Sequence, residues 1–149
     1  MFARWAGQRD TARMGSDSVE LVRRLFERLN RDLRLDSSWD DAHDVLASDF
    51  EYREDPAWPG AAAYRGIDAL RRVATDYREV LGEMSVEAED FIDVGDRVVA
   101  LYTWRARTDR GLEAEARQAG IFEVREGRIA LWQIYFDREQ ALKDEGLEQ

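Results

Sequence analysis

The chain has 149 residues, 44% of them apolar, which fits one domain with a real core. Its formal charge of −10 argues against a nucleic-acid partner, because phosphate-backbone binding needs clustered Lys and Arg, and the lack of cysteine removes disulfides and thiolate metal sites. No apolar run approaches the roughly 18 residues of a membrane span, and Met1 to Gly15 lack the apolar centre of a secretory signal, so a cytoplasmic protein without a membrane partner is expected.

Residues 1–15 show no periodic apolar face and are expected to be a mobile leader, with Met14 an alternative start; 16–149 form the single domain. Asp17 and Glu20 are spaced as a capping box, and Val19, Val22, Leu25, Phe26, Leu29 and Leu33 predict an amphipathic helix over 17–34. Ser37 or Ser38 is placed to cap a short second helix, with Trp39, Ala42, Val45 and Leu46 on its apolar side. A strand is expected at Phe50–Glu54, then a loop holding both prolines, Pro56 and Pro59. Gly66 precedes a third helix with Ile67, Leu70, Val73, Ala74, Tyr77 and Val80 inward, ending at Gly82. Four strands follow, at about 84–93, 97–108, 113–125 and 128–137, and a short helix from Arg138 to Glu145 closes the domain.

Helices first and antiparallel strands after them is the α+β pattern. The strand at 97–108 is apolar on both faces, with Val98, Ala100, Tyr102 and Trp104 on one and Val99, Leu101 and Thr103 on the other. One face is expected to cover helices or a cavity and the other to meet a partner, most simply a second copy in a homodimer.

Tyr64-Arg65-Gly66, Asp93-Val94-Gly95-Asp96-Arg97-Val98, the run from Gly120 through Ile129, Tyr135-Phe136-Asp137 and Ala141-Leu142 together resemble the SnoaL-like group of the nuclear transport factor two-like superfamily, over about 17–146. The resemblance implies a cone-shaped half-barrel: three N-terminal helices in the concave face of a curved, mainly antiparallel sheet, a short C-terminal helix, and a pocket at the open end. It implies no cofactor. It leaves the reaction open, since one fold hosts many functions.

The Glu126-Gly127 turn gives a register pairing Arg125 with Arg128, Val124 with Ile129, Phe122 with Leu131, Gly120 with Gln133 and Gln118 with Tyr135. Alternation then places Gln118, Gly120, Phe122, Leu131, Gln133, Tyr135 and Asp137 on one face, assigned here to the cavity, with a water-exposed rim as the alternative for Gln118, Gln133 and Tyr135. Asp137 is a candidate acid or base in such a pocket, or the cap of the last helix.

The segment Tyr52, Glu54, Asp55, Pro56 resembles the part of ketosteroid isomerases that carries the base, which implies Asp55 as a base; the alternative is an ordinary turn residue before proline. The isomerases' helix-one Tyr and protonated sheet acid have no counterparts here, which disfavours steroid isomerisation. In limonene-type epoxide hydrolases, an Arg and an Asp would fall on Tyr102 and Trp104, which disfavours epoxide hydrolysis. Tyr102 and Trp104 are instead core residues or an aromatic wall for a planar ligand. In SnoaL-like cyclases an acid takes a proton from a polyketide carbon; Asp137 or Asp55 would do so here. The single histidine, His43, sits among acids as a surface residue, and one histidine makes no zinc site. The expectation is a pocket for a small apolar or aromatic molecule, with acid/base catalysis or plain binding both open.

Overall fold

The computed structural model describes residues 16–35 and 44–147. The leader, Trp39 and His43 lie outside the described residues, as does most of the expected second helix. Its last two apolar positions are Val45, in a turn, and Leu46, which begins a strand.

Helix α1 spans Ser16–Leu35 and buries Leu21, Val22, Leu25, Phe26 and Leu29 along one face. Asp17 sits inside its first turn, where a carboxylate favours the positive end of the helix, rather than at the cap. Strands β1 (Leu46–Arg53) and β2 (Ala63–Arg65) flank the proline loop. Helix α2 (Ile67–Leu81) runs between Gly66 and Gly82, both at positive φ. Strands β3 (Glu83–Asp93), β4 (Arg97–Arg107), β5 (Glu113–Arg125) and β6 (Arg128–Tyr135) follow, and helix α3 (Arg138–Asp144) ends the fold.

One six-stranded open sheet has the order β2-β1-β6-β5-β4-β3. All neighbours are antiparallel except β1 and β6, which are parallel. The α+β fold expected from the sequence is thus present, with α1 and α2 against one face. Phe26 of α1 anchors that face: its ring lies 5.0 Å from Tyr102, 5.8 Å from Phe122 and 6.0 Å from Trp132. Each such aromatic pair adds about 1 kcal/mol beyond area burial. Asn30 of the same helix hydrogen-bonds both backbone groups of Val86, donating to its carbonyl and accepting its N–H, each at 2.8 Å. Those groups belong to β3, an edge strand, so α1 closes an edge that would otherwise offer open ladder positions.

The apolar residues of the outer face have a partner within the chain. Ile92, Val99, Ala119, Ile121 and Tyr135 pack with Ala141 and Leu142 of α3. Of the outer-face residues of β4, Val99 lies within this cluster and Leu101 packs at its margin, while Thr103 donates to Glu89 at 3.0 Å.

The hairpin β5–β6 departs from the expected register. Glu126 (φ 52°) and Gly127 (φ 75°) form the turn, and Arg125↔Arg128 and Val124↔Ile129 pair as expected. A β-bulge then intervenes, so that Glu123 pairs with Leu131, Phe122 with Trp132, Ile121 with Gln133 and Ala119 with Tyr135. One extra residue in one strand turns every later side chain of β6 to the opposite face.

Candidate functional site

A cavity of about 270 Å³ opens between α2 and the inner sheet face. Leu70, Val73, Ala74, Tyr77 and Leu81 of α2 form one wall, at the helical spacing that puts them on a single face. The sheet supplies Tyr52, Met84, Trp104, Ala116, Gln118, Trp132 and Ile134, and the lip carries Glu54, Asp55, Trp58 and Phe136. Six of the lining side chains are aromatic: Tyr52, Trp58, Tyr77, Trp104, Trp132 and Phe136.

Few polar groups converge on this hollow. Gln118 is 7% exposed, and its Oε1 is buried without a hydrogen-bond partner. An orphan buried acceptor costs about 1–3 kcal/mol, so Gln118 is a residue the fold holds at a loss. Glu54 accepts the Ala62 N–H at 3.0 Å and the Tyr77 hydroxyl at 3.4 Å. The Tyr52 hydroxyl also interacts with that of Tyr77. Burial, reinforced by the neighbouring Tyr77, pushes Tyr52 well above the ordinary phenol range, and burial with the Glu54 charge raises Tyr77. Both tyrosines therefore keep their protons at neutral pH.

Asp55 is 5% exposed and fixes the lip. Its Oδ1 accepts the Ala57 N–H at 2.8 Å within the proline loop, and its Oδ2 accepts the Phe136 N–H at 2.8 Å from the end of β6. The Trp58 N–H donates to the Asp55 backbone carbonyl at 3.0 Å, and Trp58 and Phe136 stack at 4.5 Å with their planes 11° apart. Asp55 thus does the work of a turn residue and extends it to a second chain segment.

Five of the expected site residues come together at the cavity: Tyr52, Glu54, Asp55, Trp104 and Gln118. Five others do not. Tyr102 and Phe122 point inward as expected but lie beneath the hollow, fully buried in the aromatic core, where the Tyr102 hydroxyl accepts the Trp132 indole N–H at 3.1 Å. Burial raises the Tyr102 hydroxyl far above its usual range. The bulge in β6 removes Gln133, Tyr135 and Asp137 from the cavity. Gln133 donates to the Glu54 backbone carbonyl at 3.0 Å and so ties β6 to β1. Tyr135 joins the outer cluster and donates to Asp144 at 2.7 Å. Asp137 is exposed and caps α3, accepting the N–H groups of Glu139 (3.0 Å) and Gln140 (3.3 Å). It takes the helix-cap alternative. Trp132, Ile134 and Phe136 occupy the places expected for Leu131, Gln133 and Tyr135. Their alternation along β6 was visible, but only the bulge says which set faces inward.

Among the described residues no group of three His, Asp or Glu side chains is arranged to hold a metal ion, and no helix is long and apolar enough to cross a membrane.

This open α+β sheet with a hollow between helix and strands defines a class of pocket-bearing half-barrels. The SnoaL-like domain family matches residues 22–132, and the chain belongs to that family. A search of curated proteins gives no match. Among solved structures, a proposed SnoaL-like polyketide cyclase from Jannaschia sp. CCS1 aligns with a TM-score of 0.67 at 18% identity, over 80% of this chain and 85% of that one. TerC, co-crystallized with polyporic acid, aligns at 0.65 and 21% identity, over 86% and 96%. An NTF2-like protein of unknown function from Burkholderia pseudomallei K96243 aligns at 0.64 and 20%, over 85% and 95%. At these identities the likeness is one of fold.

Proposed function

We propose that the chain binds a small apolar or aromatic molecule in this hollow, with Gln118 orienting it. The observation that carries the reading is the unpartnered Gln118 amide oxygen, held in the wall of an otherwise largely apolar cavity. Apolar walls supply affinity and a few fixed polar groups supply orientation, the usual division of labour in a ligand site. A ligand N–H or O–H toward which Gln118 turns its Oε1 would recover the cost of leaving it unpaired. That TerC, of the same fold, was crystallised with polyporic acid is consistent with this reading.

Binding has more support than proton-transfer chemistry of the polyketide-cyclase kind. Asp55 already uses both oxygens on backbone N–H groups, and Asp137 caps a helix away from the cavity. The test is calorimetric titration with a panel of two-ring aromatic probes against the wild type and Ala74→Phe, which fills the cavity from α2. Saturable binding that Ala74→Phe abolishes is expected. Binding that is unchanged in Ala74→Phe, or absent across the panel, would sink the reading.

A further inference from the structure

The cavity's electrostatics narrow the ligand further. Two carboxylates, Glu54 and Asp55, stand at its lip, and an unpartnered amide oxygen, Gln118 Oε1, stands in its wall. The aromatic lining presents ring faces, whose π-clouds carry negative potential. Among the described residues, none of the lining side chains is Arg, Lys or His. Arg138 does reach the backbone carbonyls of Gln118, at 3.1 Å, and Tyr102, at 2.8 Å, but it is not a lining residue and its charge is paired with Glu89 at 2.5 Å.

A hollow lined this way disfavours an anion. A carboxylate or phosphate would face two like charges with no counter-cation among the described lining residues, in a medium that screens weakly. A cation meets the reverse: long-range attraction from Glu54 and Asp55, ring faces that attract ammonium groups, and an acceptor able to take an N–H. The bonds Glu54 and Asp55 receive are from a hydroxyl and from neutral N–H groups, which leave their charge in place.

We infer that the ligand is a protonated amine joined to an aromatic or alicyclic body, its body between Trp104, Trp132 and α2 and its ammonium among Glu54, Tyr77 and Gln118. The inference rests on the pocket reading above and adds the sign of the ligand's charge. It assigns Glu54 as a specificity-determining residue, acting through its charge.

Three probes of one shape and three charges decide it: naphthylmethylamine, naphthalenemethanol and naphthoic acid, titrated calorimetrically at neutral pH and low salt. The amine is expected to bind tighter than the alcohol by about tenfold, with the acid weakest. Glu54→Gln keeps an acceptor for the Ala62 N–H and is expected to bring the amine down to the alcohol's affinity. Asp109→Asn, which removes the same formal charge from the exposed β4–β5 turn, is expected to leave the ranking unchanged. An alcohol or acid that binds as tightly as the amine overturns the charge assignment and leaves the pocket reading standing. An amine preference that survives Glu54→Gln intact overturns the role of Glu54. Failure of all three probes counts against the pocket itself. The wild-type ranking decides the ligand's charge even if Glu54→Gln does not fold.

Discussion

Gly120 has room for hydrogen and nothing larger. A methyl group there would lie 2.7 Å from the Trp132 indole nitrogen and 2.9 Å from the Phe122 ring. Trp132 is 1% exposed and tied to Tyr102, so it has little freedom to retreat. Gly120→Ala is expected to cost about 1–3 kcal/mol, the usual range for overpacking, read by urea unfolding, and to shift tryptophan emission as Trp132 moves. Asp93 is a different kind of constraint. It is 2% exposed; Oδ1 accepts the Gly95 N–H at 2.9 Å, and Oδ2 is buried without a partner. Burial raises its pKa above the ordinary carboxylate value, with the Gly95 bond opposing in part. A folded-state pKa above the unfolded one means the wild type is best off below the unfolded value, near about 4, and loses stability as pH rises through the folded value. Asp93→Asn escapes that loss. Its stability advantage over the wild type is expected to be absent near about pH 3 and to grow toward neutrality, as denaturant midpoints at several pH values would show. An advantage independent of pH would refute this account.

The strands and helices were largely legible because each carries its own period. The face of α1, the span of α2 between two glycines, and the four long strands all follow from spacing and turn residues. The Glu126-Gly127 turn was legible for the same reason: Gly127 takes positive φ without strain. The bulge one step further on was not. Ile129, Ala130, Leu131 and Trp132 form an unbroken apolar run, so no polar residue marks where the register slips. That silence moved Gln133, Tyr135 and Asp137 to the wrong side of the sheet. Gln118 keeps the face that alternation gives it because the extra residue lies in β6 and leaves the alternation of β5 unbroken, while Tyr52 in β1 and Glu54 just after it lie outside the hairpin. Two element-scale outcomes follow. Glu126 sits at φ 52°, a conformation costly for most side chains and better suited to Asn. Glu126→Asn is expected to raise stability by about 0.5–1 kcal/mol, measurable by thermal unfolding. Asn30→Leu leaves the Val86 N–H and carbonyl without their side-chain partner. It is expected to cost about 2 kcal/mol and to speed hydrogen exchange of the Val86 amide.

At the scale of the molecule, one carboxylate joins the two rims of the hollow. Asp55 bonds the proline loop and the end of β6 together, and Trp58 stacks on Phe136 across the same junction. Asp55→Ala is expected to lower stability by about 1–3 kcal/mol, since two partly buried N–H groups lose a charged acceptor. It is also expected to weaken ligand binding more than Asp49→Asn, whose parent side chain pairs with Arg125 on an exposed surface. Equal effects of the two variants in calorimetry would show that the lip plays no part in holding a ligand.

The parallel pairing of β1 with β6 has a bearing on biosynthesis. These strands adjoin in the sheet although about 80 residues of chain separate their paired positions, Tyr52 and Trp132 for example. A nascent chain that has emerged only as far as Gly127 has β1 and β5 with nothing between them, two open ladders flanking a gap where the sixth strand belongs. Such an intermediate can be completed by its own last segment or by a neighbour's, and the second outcome is aggregation. Refolding at rising protein concentration should therefore lose soluble yield to association through these two open ladders.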